Sequence, residues 1–275
     1  MIHVVLRWFI ILFAVETVYA FPTELMYQGK PIDSLCLFQM EGSKGGVDLK
    51  HCGLHTQKGE VITGKNKTLI KQGFLGYNFG FKTKESVSPG GYSYYKVVGQ
   101  VGQAVVVETV NNGGGTGSFS LLSLVRREGD KLNIEVLTGG DRCNGGLELV
   151  SERGTQHPQY LEYGIRLTPY ALLTLSRDNP HHLKAYDDLA DCAICCIATA
   201  RVERPLDPNF SKVEHLLYIQ TQQDLLNESP ATPAPKYQAC FNQLLKQHSQ
   251  KNHGKFDEKQ LALFTHEFNA QCVQG

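Results

Sequence analysis

No charge predominates in this 275-residue chain: Lys+Arg and Asp+Glu each total 27. Without a basic excess there is no electrostatic footprint for a nucleic-acid backbone, and without an acidic run there is no solvating tail. Long apolar runs are missing as well. After residue 20 none approaches the ~20 residues that a membrane-spanning helix requires. The signatures G-x-S-x-G, H-E-x-x-H and paired carboxylates do not occur, and the ten histidines are scattered. The run N-N-G-G-G-T-G-S, Asn111 to Ser118, has no lysine and leads into a strand pattern. It reads as a hairpin tip, not a phosphate loop. Nucleic-acid binding and an integral span in the mature chain are thereby excluded. An enzyme is disfavoured but survives these absences, because a triad is recognised by geometry.

The start of the chain has the layout of an export signal. Arg7 precedes an apolar run from Trp8 to Val15, and Val18-Tyr19-Ala20 offers a cleavage site. This predicts a signal peptide over residues 1–20 and a secreted or periplasmic chain beginning near Phe21. All eight cysteines follow it: Cys36, Cys52, Cys143, Cys192, Cys195, Cys196, Cys240 and Cys272. An even count in an exported chain predicts four disulfides. A local bridge between Cys36 and Cys52 would close the glycine-rich loop between them, worth roughly 3 kcal/mol of loop entropy.

From about Thr68 to Leu167, aromatic and β-branched runs alternate with turn residues. The runs begin with L-I-K-Q-G-F-L-G-Y-N-F-G-F and continue through Y-S-Y-Y-K-V-V, A-V-V-V-E-T-V, F-S-L-L-S-L-V and L-N-I-E-V-L. L-E-L-V and Y-L-E-Y-G-I-R-L complete them. S-P-G-G, N-N-G-G-G-T-G, R-E-G-D-K, G-G-D-R-C-N-G-G and S-E-R-G-T separate them. This predicts a mainly β fold, α+β overall, in which an antiparallel meander forms a sandwich or open barrel over residues 21–222. Ala104 to Val107 is apolar on both faces and should lie centrally. Leu132, Ile134 and Val136 should point inward together. Thr168-Pro169 reads as an N-cap and first residue of a short helix near 169–176.

A Pro-rich linker over 223–236 leads to a helical hairpin over 237–275. Tyr237, Cys240, Phe241, Leu244 and Leu245 share one helical face, and Leu261, Phe264, Phe268 and Cys272 share another. Asp257 and Gln260 suit a capping box, with Phe256 and Leu261 as its hydrophobic staple. About 40 residues cannot hold a core unaided, so a Cys240–Cys272 bridge is expected to close the hairpin.

The stretch D-C-A-I-C-C, Asp191 to Cys196, is the first candidate for chemistry. Haem attachment needs histidine at position 196, where Cys196 stands. Redox catalysis needs a stabilised thiolate, and Asp187, Asp188 and Asp191 oppose one. Zinc could draw on the three cysteines with His181 or His182, but isolated Cys143 replaces the expected second pair. The remaining reading is structural. A strand beginning near Cys196 would send Cys195 and Cys196 to opposite faces. Cys143 should then bond one member of the cluster, leaving the other two to bond each other.

A second candidate is the loop G-G-D-R-C-N-G-G, where Asp141, Arg142 and Asn144 could read a ligand. A third is the aromatic density of Phe74, Tyr77, Phe79, Phe81, Tyr92, Tyr94 and Tyr95, most of which core packing explains. The expectation is a disulfide-stabilised, non-catalytic binding protein with no cofactor or metal and an unknown protein or carbohydrate ligand. Its candidate surfaces are the glycine-rich loops and the exposed side of the hairpin. The alternative is an extracytoplasmic enzyme, or a metal or redox protein, using Cys192, Cys195 and Cys196.

Overall fold

The computed structural model describes residues 22–39, 46–51, 60–82, 87–115, 117–140, 143, 147–153, 159–175, 184–192, 194–206, 214–222 and 236–274. The expected leader, Cys52, and all of the expected linker except Lys236 lie outside the described residues. No helix among the described residues is long and apolar enough to cross a membrane.

A short ribbon, β1 (Met26–Tyr27) and β2 (Lys30–Pro31), and helix α1 (Ser34–Gln39) come first. They are followed by β3 (Val47–Asp48), β4 (Glu60–Gly64) and helix α2 (Lys67–Lys71). The meander then runs through β5 (Leu75–Lys82), β6 (Val87–Val101), β7 (Ala104–Asn112), β8 (Phe119–Glu128) and β9 (Lys131–Gly140). Strands β3 to β9 form one seven-stranded antiparallel sheet in the order β3-β9-β8-β7-β6-β5-β4, curled into a half-barrel.

The middle strand is β7, and every one of its residues is buried. Val105 and Val107 face a core capped by Leu25, Ile32, Leu37 and Leu49 from the N-terminal segment. Ala104 and Val106 face the second sheet. Alternation along a pleated strand thus fills two cores at once. Each fully buried valine contributes about 1.5–3 kcal/mol relative to exposure.

The second sheet contains β10 (Leu147–Arg153), β11 (Gln159–Leu167), β12 (Ala198–Leu206), β13 (His215–Thr221) and β14 (Lys255–Phe256), in that order. Helix α3 (Pro169–Thr174) follows β11; α4 (Gln238–Lys251) and α5 (Glu258–Phe268) flank β14. Tyr163, Ile165 and Leu167 stand opposite Val202, Ala200 and Ala198 and therefore share one face. At one end this face packs on the first sheet, where Tyr163 and Val202 meet Val106 and Leu122. At the other end, Leu167 and Ala198 lie beneath Phe241, Phe264 and Phe268 of the hairpin. Ile165 touches both cores.

The hairpin follows the sequence closely. Asp257 and Gln260 form the capping box at the start of α5, and Phe256 and Leu261 are fully buried. The Phe241 ring meets Phe264 and Phe268 edge-on, with centroids 5.5 and 5.8 Å away. Gly254, at φ +76°, turns the chain and accepts a hydrogen bond at its carbonyl from the Thr221 N–H. That bond sets β14 beside β13. Cys240 is bonded to Cys272 across the hairpin.

Three local expectations change. Lys67–Lys71 is helical, not part of a strand: the Asn66 side chain accepts from Thr68 and Leu69 N–H and nucleates the turn. S-P-G-G is not a turn but the first part of β6. Its glycines allow close backbone approach, since a Cβ at Gly91 would overlap the Asn112 carbonyl. Leu132 is buried and Ile134 partly so, but Val136 is 45% exposed, because the N-terminal cap packs against Leu132 and Ile134 only.

Candidate functional site at the cysteine cluster

The cysteines of the cluster lie just before β12, which begins at Ala198 rather than near Cys196. The backbone there is held on every side. Ile197 N–H donates to the Leu167 carbonyl, and its own carbonyl accepts from Gln222 N–H, extending the sheet. Thr168 caps α3 by accepting from Ala171 N–H, and its hydroxyl donates to Asp191 Oδ1 at 2.8 Å. Ala190 N–H donates to the Gln238 side chain of α4 at 2.9 Å. Contacts from the start of α3 and from α4 thus fix the approach to Cys192, and β11 and the end of β13 hold the chain just after Cys196.

The sulfurs are paired as two bonds on adjacent residues. Cys143 is bonded to Cys196, with Cα atoms 5.4 Å apart. Cys192 is bonded to Cys195, with Cα atoms 5.0 Å apart. This is the expected pattern, one cluster member to Cys143 and the other two to each other. The diverging directions of Cys195 and Cys196 come from the turn preceding the strand, not from the strand itself. Cys143 is buried at positive φ, just beyond the end of β9 in the first sheet. Its bond therefore ties the first sheet to the middle strand of the second.

The two bonds differ in what they can stabilise. The Cys143–Cys196 bond spans 53 positions, and the chain-entropy relation gives about 4 kcal/mol for a loop of that size. The Cys192–Cys195 bond spans three positions and gives about 2 kcal/mol. The small ring is in addition a turn closed by a hydrogen bond from Cys195 N–H to the Cys192 carbonyl at 3.1 Å. Between these cysteines Ile194 stands 70% exposed, the most exposed of the large apolar side chains among the described residues.

With all three cluster sulfurs in disulfides, none is a thiolate ligand or nucleophile in this structure. Among the described residues there is no group of three or more His, Cys, Asp or Glu side chains able to hold a metal ion. Asp141, Arg142 and Asn144 lie outside the described residues, and of their loop only Cys143 is placed among the residues 141–146. The aromatic candidates are largely committed to the interior. Phe74, Phe79, Tyr94 and Tyr95 are buried, and the hydroxyls of Tyr77, Tyr92 and Tyr94 are bonded to Asp33, Ser118 and Asn78.

Two partly buried ion pairs escaped the sequence. Lys96 Nζ lies 3.1 Å from Glu108 Oε2 and 4.7 Å above the Phe74 ring. Burial raises the Glu108 carboxyl above its ordinary value, and Lys96 partly opposes this. Lys96 and Glu108 stand opposite each other only because a bulge between Val97 and Gly99 shifts the register by one. Counting back from the Gly102 turn without it would pair Lys96 with Thr109. The second set is Tyr163, whose hydroxyl donates to Glu214 Oε1 at 2.5 Å, with Arg204 Nη1 at 3.7 Å. Burial and this carboxylate push the Tyr163 hydroxyl upward. Arg204 falls on the inward face of β12 in an otherwise apolar alternation, and that irregularity was the available signal. Both sets place charge inside a sheet, where desolvation offsets much of the attraction.

Comparison of the chain with protein-family models, curated proteins and solved structures finds no match.

Proposed function

We propose that this chain is an exported binding protein, secreted or periplasmic, whose contact surface centres on the disulfide-braced turn carrying Ile194. One observation carries the reading: the exposed isoleucine sits in a turn closed by its own disulfide and joined, one residue later, to the other sheet. Single exposed apolar residues are common. This one differs in having a backbone fixed before any partner arrives, so docking orders little further chain. An aliphatic anchor offers a sugar neither a hydrogen bond nor an aromatic face, which favours a protein ligand over a carbohydrate. Disulfides on both sides of the turn suit an oxidising compartment.

The test screens the full oxidised chain against purified extracytoplasmic proteins and an oligosaccharide array, with Ile194→Lys alongside. The expected result is a saturable protein ligand whose affinity falls at least tenfold in the variant, with the unfolding midpoint unchanged. Equal affinity in the variant, or binding to oligosaccharides alone, overturns the proposal. Thiol counting on the native chain should find no free thiol. A free thiol pair, or stoichiometric zinc by metal analysis, would favour the enzyme or metal reading.

A further inference from the structure

We infer that Cys192–Cys195 is an exchangeable disulfide, which takes two electrons from a dithiol-bearing protein segment docked on Ile194. The inference rests on the binding reading of the same turn and adds a chemistry to it. The two residues are unequal: Cys192 is partly exposed, whereas Cys195 is only 6% exposed. An incoming thiolate therefore meets Cys192, and Cys195 is the leaving sulfur. The turn also has supports other than its own bond. The Cys195 N–H to Cys192 carbonyl hydrogen bond, the Thr168–Asp191 and Ala190–Gln238 contacts, and the Cys143–Cys196 bond all remain when it opens. Reduction can thus proceed on a folded chain. As a staple this bond contributes least of the three described, because its ring is the smallest. Ile194, between the two cysteines, gives an apolar segment a place to dock beside the reacting sulfur.

Asp187, Asp188 and Asp191 oppose a thiolate on this chain. Asp187 and Asp188 are exposed, however, and Asp191 is hydrogen-bonded by Thr168. Attack by a partner's thiolate needs no thiolate here at the outset. That thiolate forms a bond to Cys192 Sγ, the bond between Cys192 Sγ and Cys195 Sγ breaks, and Cys195 leaves as a thiolate and takes a proton from water. The partner's second thiolate then attacks the partner sulfur of the mixed disulfide. The partner's own disulfide forms, and Cys192 leaves and is protonated. Two electrons pass from the partner dithiol to this chain.

The full oxidised chain is equilibrated in glutathione buffers of increasing reducing strength, alkylated and mapped. Cys192 and Cys195 are expected to become alkylated together at a reduced-glutathione excess at least tenfold lower than opens Cys143–Cys196 or Cys240–Cys272. An apolar dithiol peptide of zero net charge should reduce the bond at least tenfold more slowly in Ile194→Lys than in the wild type, even though the added cation favours a thiolate there. Opening no earlier than the other two bonds overturns the inference, and so does a peptide rate indifferent to Ile194→Lys. If the bond resists while protein binding still depends on Ile194, exchange falls and the binding reading stands.

Discussion

The two sheets of this molecule are held together by different means. The seven-stranded sheet is a meander of long strands with a middle strand buried throughout and a core on each face. The described cores of the five-stranded sheet lie on one of its faces, shared between the first sheet and the helices. All three disulfides described touch this second half: one joins the sheets, one closes the turn before β12, and one closes the covering hairpin. Longer connections also separate its elements, from Leu206 to His215 and from Thr221 to Gln238. In the first half, apolar burial comes from both faces of a central strand whose neighbours are close in sequence. In the second half, where elements stand farther apart in sequence, crosslinks limit the entropy of the unfolded chain.

Substitutions in the two halves should differ in cost. The largest effect is expected from Phe264→Ala, which removes the centre of the hairpin aromatic cluster and should cost about 3–5 kcal/mol in urea unfolding. Val106→Ala, at the centre of the first sheet, should cost about 2 kcal/mol. A reversed order would show that the first sheet, not the hairpin, limits stability. Replacing Cys240 and Cys272 together by serine should cost about 4 kcal/mol, close to the Phe264→Ala loss, and replacing Cys192 and Cys195 about 2 kcal/mol, close to the Val106→Ala loss. Equal losses would mean that ring size does not govern what these bonds contribute.

Smaller effects sharpen the picture. Asp257→Ala removes the cap of α5 and should cost about 1 kcal/mol; an unchanged midpoint would mean that packing alone fixes the helix start. The smallest effect should come from Glu108→Gln. Burial raises this carboxyl above its ordinary value of 4.5, so the folded chain keeps the proton in a window just above that pH where the unfolded chain has lost it. The contribution of Glu108 is full below that window and declines as pH rises through the folded value. Urea midpoints between about pH 4 and pH 7 should therefore fall with pH in the wild type relative to the variant. Parallel profiles would show that Lys96 offsets the effect of burial on this carboxyl.

Much of this was legible in the chain. The all-buried strand at Ala104, the Thr168 cap, the capping box at Asp257 and the Cys240–Cys272 bridge all depend on residues close in sequence or on the helical and strand periods. The run from Leu69 reads as a strand, but Leu69 to Lys71 belong to the helix Lys67–Lys71, because one asparagine cap outweighs weak propensities. S-P-G-G resembled a turn because glycine serves both for positive φ and for close approach, and only the neighbouring strands distinguish the two. The sequence pattern also starts the strand near Cys196, whereas it begins at Ala198 and the cluster occupies the turn before it.

By itself, the sequence determined the fold class, the middle strand, the helical hairpin and the fact that Cys143 must reach the cluster. These follow from local periodicity, capping chemistry and parity. Tertiary structure alone decided which cysteine Cys143 meets, which side chain the small disulfide ring presents, and that the hairpin completes the core of the second sheet. It also set Lys96 against Glu108 through a single bulge. Each of these depends on register or on contacts between distant segments. A displacement of one residue there exchanges buried for exposed while leaving the local pattern unchanged.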